Sequence, residues 1–205
     1  MPTVICARAL ALLLVSVAAA GAANGQTRRW GVGFDVGLTR FWGGSEPVPP
    51  NTAPGFKPYR PTGASVRVDH VVGRMRVALG VSYAPSGLAV ETKDATLVAR
   101  NGLTWVQMAP ELAYQLGTLG PVTELRIFGG PVADIWMPGG EDSRTKIGAR
   151  GGLELLVPLG RWLAGTLRAQ AGLTGSLFRE ADVPTGFRAK AMPNVGVALG
   201  IRFGL

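Results

Sequence analysis

The sequence predicts an all-β fold: an eight-stranded antiparallel up-and-down transmembrane β-barrel that follows an N-terminal signal peptide. Three observations carry this expectation. First, the closing segment Val195-Gly196-Val197-Ala198-Leu199-Gly200-Ile201-Arg202-Phe203-Gly204-Leu205 alternates large apolar residues with Gly, Ala or Arg. Period-two alternation is a strand with one greasy face, and about ten residues suit a tilted strand crossing a bilayer. Second, the connections between such segments alternate between short and long. Third, beyond the N-terminal apolar run no stretch approaches the ~18 uninterrupted apolar residues of a membrane helix, although hydrophobic residues make up 47% of the chain.

Met1 to Arg8 carries one positive charge, and Ala9 to Ala20 is a twelve-residue apolar run. That run is too short to span as a helix and reads as a signal peptide. Ala20-Gly21-Ala22 and Ala23-Asn24-Gly25 suit a leader peptidase, so we expect a signal peptide over 1–25 and one barrel domain over 26–205. The single cysteine, Cys6, precedes the apolar run and leaves with the leader. A lipid anchor, disulfides and Cys–metal chemistry are therefore not expected. The net charge of +8 could signal nucleic acid, but the arginines are scattered singly through alternating strands, so nucleic acid is not an expected partner.

The first strand is read from Trp30 to Trp42, with Trp30, Val32, Phe34, Val36 and Leu38 opposite Gly31, Gly33, Asp35 and Gly37. Gly63 to Val71 and Arg74 to Ala84 form a hairpin across Val72-Gly73. A fourth strand spans Gly102 to Leu116, setting Val106, Met108, Leu112 and Tyr114 against Gln107, Ala109, Glu111 and Ala113. After a turn at Gly117 to Pro121 the fifth runs from Val122 to Met137. The sixth is Lys146 to Val157, the seventh Trp162 to Phe178, and the eighth the terminal strand. Pro110 and Pro131 each delete a ladder donor inside strands four and five, and a bulge near Gly129-Gly130 is the expected accommodation.

Long connections are expected at Gly43 to Thr62, Pro85 to Asn101 and Arg179 to Lys190, and a moderate one at Pro138 to Arg144. Short turns on one side and long loops on the other, with both termini at the short-turn end, are the habit of membrane barrels. Trp30, Trp42, Tyr83, Trp105, Tyr114, Trp136, Trp162, Phe178 and Phe203 fall near strand ends, where rings sit well at headgroup level. Trp105, Trp136 and Trp162 nevertheless lie on the inward phase. The first long loop is rich in Pro, with Phe56, Lys57, Tyr59 and Arg60, and reads either as a contact surface or as a solvent-exposed cap.

The leader, the eight alternating segments, Leu125-Arg126-Ile127-Phe128-Gly129-Gly130-Pro131, Gly148-Ala149-Arg150-Gly151-Gly152-Leu153-Glu154-Leu155 and the near-aromatic terminus resemble the small outer-membrane β-barrels of the OmpA and OmpX type. The resemblance covers essentially all of the mature chain and is architectural. It implies an outer-membrane location. The partners expected are outer-membrane lipid, lipopolysaccharide and, through the C-terminal strand, the barrel-assembly machinery. The chain departs from many such barrels in ending on Leu205 instead of Phe, and no peptidoglycan-binding domain is expected after the barrel.

The inward phase carries Asp35, Arg67, Asp69, Arg76, Glu111, Arg126, Arg150, Glu154, Arg168 and Arg202, with Asp134 as a further candidate. An eight-stranded interior is about wide enough for side chains, so these charges are expected to pair across the lumen and plug it. In that scheme Glu154 neutralises Arg150 or Arg168. No carboxylate pair lies without an arginine to neutralise it, so a catalytic pair is not expected. His70, the single histidine, falls on the apolar phase near the short-turn end and reads as interfacial. Glu141, Asp142, Glu180 and Asp182 are read as solvated loop acids in preference to a divalent-cation site. Gly31-x-Gly33-x-x-x-Gly37 follows no strand and opens no helix, which excludes a dinucleotide loop.

No cofactor, metal or enzymatic activity is expected, and the role is read as structural or as surface interaction through the long loops. Three alternatives stay open. A soluble lipocalin-like barrel would turn the greasy face inward. A lipid-modifying barrel enzyme is disfavoured because Asp69-His70-Val71-Val72 lacks the serine of a His-x-Ser pair. A narrow transport channel would need an open lumen.

Overall fold

The computed structural model describes residues 29–47, 55–91, 96–120, 123–139, 142–178 and 186–205. The expected signal peptide, 1–25, lies outside the described residues. The strands in chain order are β1 Trp30–Phe41, β2 Gly44–Pro47, β3 Gly55–Tyr59, β4 Thr62–Val72, β5 Met75–Glu91, β6 Thr96–Leu119, β7 Thr123–Pro138, β8 Arg144–Pro158, β9 Leu163–Thr174, β10 Phe187–Lys190 and β11 Met192–Gly204. Eight of them form an antiparallel ring in the order β1, β4, β5, β6, β7, β8, β9, β11. The ring closes where β11 pairs with β1 from Gly31↔Gly204 to Phe41↔Asn194. At that seam the Leu205 N–H donates to the Trp30 carbonyl at 2.9 Å.

Alternation along each strand fixes which face is wet. Val36 is 63% exposed and Leu199 66%, whereas Asp35 is 2% exposed and Glu154 0%. The apolar belt therefore lies outside and the charge inside, the arrangement lipid demands and the reverse of the lipocalin-like alternative. No helix among the described residues is long and apolar enough to cross a membrane. Short turns, such as Gly73 at φ 60, join the strands at the end where the termini meet.

The other end differs from expectation. The segment Pro85 to Asn101, expected as a loop, is mostly strand: β5 and β6 continue past the barrel to Glu91 and Thr96. Ala89-Val90 and Leu97-Val98 carry β-formers far enough to keep the ladder going, with a register shift between Ser86 and Leu88. β3, from the Pro-rich connection, adds to the outer edge of β5 from Gly55↔Glu91 to Tyr59↔Gly87. β2 and β10, from two different long connections, pair as a separate ribbon from Gly44↔Lys190 to Pro47↔Phe187. The seventh strand stops at Thr174, short of the expected Phe178.

The bulge expected near Gly129-Gly130 is absent. Register is the same on both sides of that region, Met108↔Ala133 and Leu112↔Gly129, and two steps on from the first pair Pro110 faces Pro131. The prolines share one interruption of the ladder, and both are exposed on the lipid side. The register shift between β6 and β7 lies instead between Gln115 and Gly117, beside the short turn.

The barrel lumen as candidate functional site

Adjacent inward positions of neighbouring strands are small, and that is what admits long side chains to the axis. A Cβ on Gly31 would sit 2.2 Å from the Arg202 guanidinium, and one on Gly33 would sit 3.2 Å from that of Arg67. The glycine face of β1 is thus the space two arginines occupy.

At mid-lumen Arg67, Arg76, Arg150 and Arg168 form one connected layer with Asp35, Glu111 and Glu154. Arg67 reaches Asp35 at 3.5 Å and Glu154 at 2.9 Å. Glu154 also pairs with Arg76, and lies 3.7 Å from Arg168 Nε. Arg168 donates to both oxygens of Glu111 at 2.9 and 2.8 Å and lies over the Phe128 ring at 4.0 Å. Arg150 donates to Glu111 and to Gln107 Oε1. Thr166 donates to Asp35 at 2.7 Å. Closer to the short-turn end, Arg202 donates to Asp69 at 2.6 Å, and Arg126 donates to Glu124 at 2.6 Å. Of the two arginines expected opposite Glu154, Arg168 is the one within ion-pair distance of it, while Arg150 pairs with Glu111.

Glu124 is the acid the reading of the sequence missed. It lies two residues before Arg126 on the same face of β7, a spacing that places both side chains together in any strand. With it, six arginines (67, 76, 126, 150, 168, 202) meet six carboxylates (35, 69, 111, 124, 134, 154) among the described residues. Buried ions tolerate such a place only when paired and hydrogen-bonded.

Toward the long-loop end the filling turns apolar. Phe41, Ala84, Leu103, Trp105, Trp136, Leu177 and Met192 pack as one buried cluster, with Leu88 and Phe178 against it. Trp105 stacks on Trp136 at 5.8 Å between centroids, and Phe41 meets each edge-on at 5.4 Å. Trp105 and Trp136 are therefore not headgroup-level residues, as expected from their position near strand ends; they follow their inward phase and cap the lumen. Trp162 does the opposite and is 59% exposed, because it lies in the turn before β9 and escapes strand phase. Asp134 joins the two layers, accepting from Trp105 Nε1 at 2.9 Å and Gln107 Nε2 at 2.8 Å.

His70 lies on the outer wall against Trp30, with ring centroids 4.6 Å apart, away from the lumen carboxylates. Of the loop acids, Asp142 is exposed, while Glu141, Glu180 and Asp182 lie outside the described residues. Among the described residues no group of three potential metal ligands gathers.

No protein-family model matches the sequence, and no curated protein matches it. Solved structures do match in shape. Neisserial surface protein A aligns at a TM-score of 0.51 and 10% identity, over 86% of this chain and 97% of that one. Ail, the attachment invasion locus protein of Yersinia pestis, aligns at 0.47 and 10% identity, over 87% of this chain and 100% of its own. The N-terminal β-barrel domain of Pseudomonas aeruginosa OprF aligns at 0.37 and 14% identity, over 83% and 96%. The closed ring, the outward apolar belt and the filled lumen agree with the likeness to Neisserial surface protein A: this chain has the fold of a small eight-stranded outer-membrane β-barrel.

Proposed function

We propose that the protein is a closed, non-enzymatic barrel of the outer membrane that holds a stiff β-platform above the surface, where contacts with other molecules are made. The observation that carries this reading is the lumen. A cross-lumen ion layer and an aromatic cap fill it in series, which leaves no open water-filled path among the described residues. The β3–β5–β6 extension and the β2–β10 ribbon supply ordered backbone at the long-loop end, so a partner would meet a surface with little entropy left to lose.

Lipopolysaccharide is the partner we assign to the outer wall near that end. Arg40 lies 5.3 Å over Trp42, and Arg60 lies 5.7 Å from the Tyr59 ring, both exposed cations held by aromatics where anionic headgroups would sit. The C-terminal strand β11 is assigned the contact with the barrel-assembly machinery, and residues 1–25 the export leader.

Planar-bilayer recording of refolded protein tests the closed-barrel reading. Silence at 100 mV is expected, and discrete conductance steps would establish the channel alternative instead. Release of fatty acid from purified lipid A would reinstate the enzymatic one.

A further inference from the structure

Between the ion layer and the aromatic cap lies a cavity of about 50 Å³, walled by Arg67, Arg150, Arg168, Ser65 and Ser82, with Trp105 at its cap side. Three guanidiniums line it and no carboxylate does. The acids that pair with these arginines stand behind them: Glu111, Glu154 and Asp35. Arg67 is 1% exposed; its Nη2 and Nη1 face Glu154 and Asp35 at 2.9 and 3.5 Å without hydrogen-bond geometry, and its Nε, like Arg150 Nε, has no acceptor among the described residues. The charge count points the same way. Among the described residues Arg67, Arg76, Arg150 and Arg168 are in ion-pair contact with Asp35, Glu111 and Glu154 alone, four charges against three. Asp134, which would balance them, is held by Trp105 and Gln107 and makes no ion pair among the described residues.

We propose that this cavity is a binding site for one small monovalent anion of the halide class. Unsatisfied buried N–H groups and one local positive charge supply the attraction, and the serine hydroxyls can turn their protons toward the ion. The size excludes larger anions: a space of this volume holds a few waters, or one halide with a water. Binding closes the polar accounting of the lumen without opening a path through it.

The test compares refolded barrel in chloride, bromide and gluconate at constant ionic strength. Chloride and bromide should raise the unfolding temperature along a saturating curve, by roughly 3–5 °C at tenfold excess over the dissociation constant. Gly80→Val is the control that keeps every charge: Gly80 lines the cavity, and a Cβ there has its nearest neighbour, Arg150, at 3.6 Å. This variant should fold and lose the halide effect, and crystals of the parent grown in bromide should show an anomalous peak against Arg67. Identical unfolding in all three salts, or no bromide peak in the cavity, would overturn the site. A heat-modifiable barrel in gluconate would show that the fold and the closed-barrel reading survive that failure.

Discussion

Arg67 and Glu154 stand on β4 and β8, opposite strands of the eight-membered ring, and their side chains meet at 2.9 Å in the middle of the lumen. The pair is a strut across the full width of the barrel. Glu154 also serves Arg76 and Arg168, so four strands (β4, β5, β8, β9) converge on one carboxylate. Losing a shared buried partner costs more than losing one ion pair, because each stranded guanidinium keeps its desolvation penalty.

Glu154→Leu should therefore destabilise the barrel by about 3–5 kcal/mol, read as a lower urea midpoint for protein refolded in detergent micelles. Adding Arg67→Met should recover part of the loss, since one stranded charge is removed with it. Equal urea resistance of Glu154→Leu and the parent would contradict the strut.

Gly31→Val acts at the other end of the same logic. The new Cβ would overlap the Arg202 guanidinium, which must swing away from Asp69. A cost of about 1–3 kcal/mol follows from the carboxylate left unpaired. In an Arg202→Ala background the Gly31→Val change should cost much less. Additive effects in that double-mutant cycle would refute the spatial link.

Trp136→Ala removes the centre of the aromatic cap and should cost about 3–5 kcal/mol. It should nevertheless leave the protein silent in a planar bilayer, because the ion layer still crosses the lumen beneath it. Current through this variant would show that the cap alone is the seal.

Replacing Leu88 to Val98 with a short Gly-rich turn removes the β5–β6 extension and the edge that β3 uses. These residues lie beyond the stretches of β5 and β6 that pair with β4 and β7, which end at Tyr83 and Leu103, so gel migration before and after boiling should match that of the parent. Failure to refold would make the platform part of the folding unit.

The ring strands were legible because lipid on one side and a narrow lumen on the other impose period two on almost every residue. The shape of the long-loop end was not. Gly44-Ser45-Glu46-Pro47 has no alternation to read, and its partner Phe187–Lys190 lies far along the chain. The members of the ion layer could be named from phase alone, yet their pairing could not. Whether Glu154 meets Arg67 or Arg150 depends on strand stagger around the closed ring, which no local pattern encodes. Trp105 and Trp136 show the limit of position as a clue: being near a strand end suggested the headgroups, and phase decided against it.

Closure has a further consequence. β1 and β11 share eleven paired residues, and after them no strand edge is left in the ring. In hydrocarbon an open edge has no water to bond with, so seven strands are not seven-eighths of a barrel. Intermediate assemblies have no place to rest within the bilayer, and the last strand to dock decides the fate of all the others. Mutations along that seam should accordingly change the yield of inserted protein more than the behaviour of the molecules that do insert, which makes the seam a point of quality control written into backbone geometry.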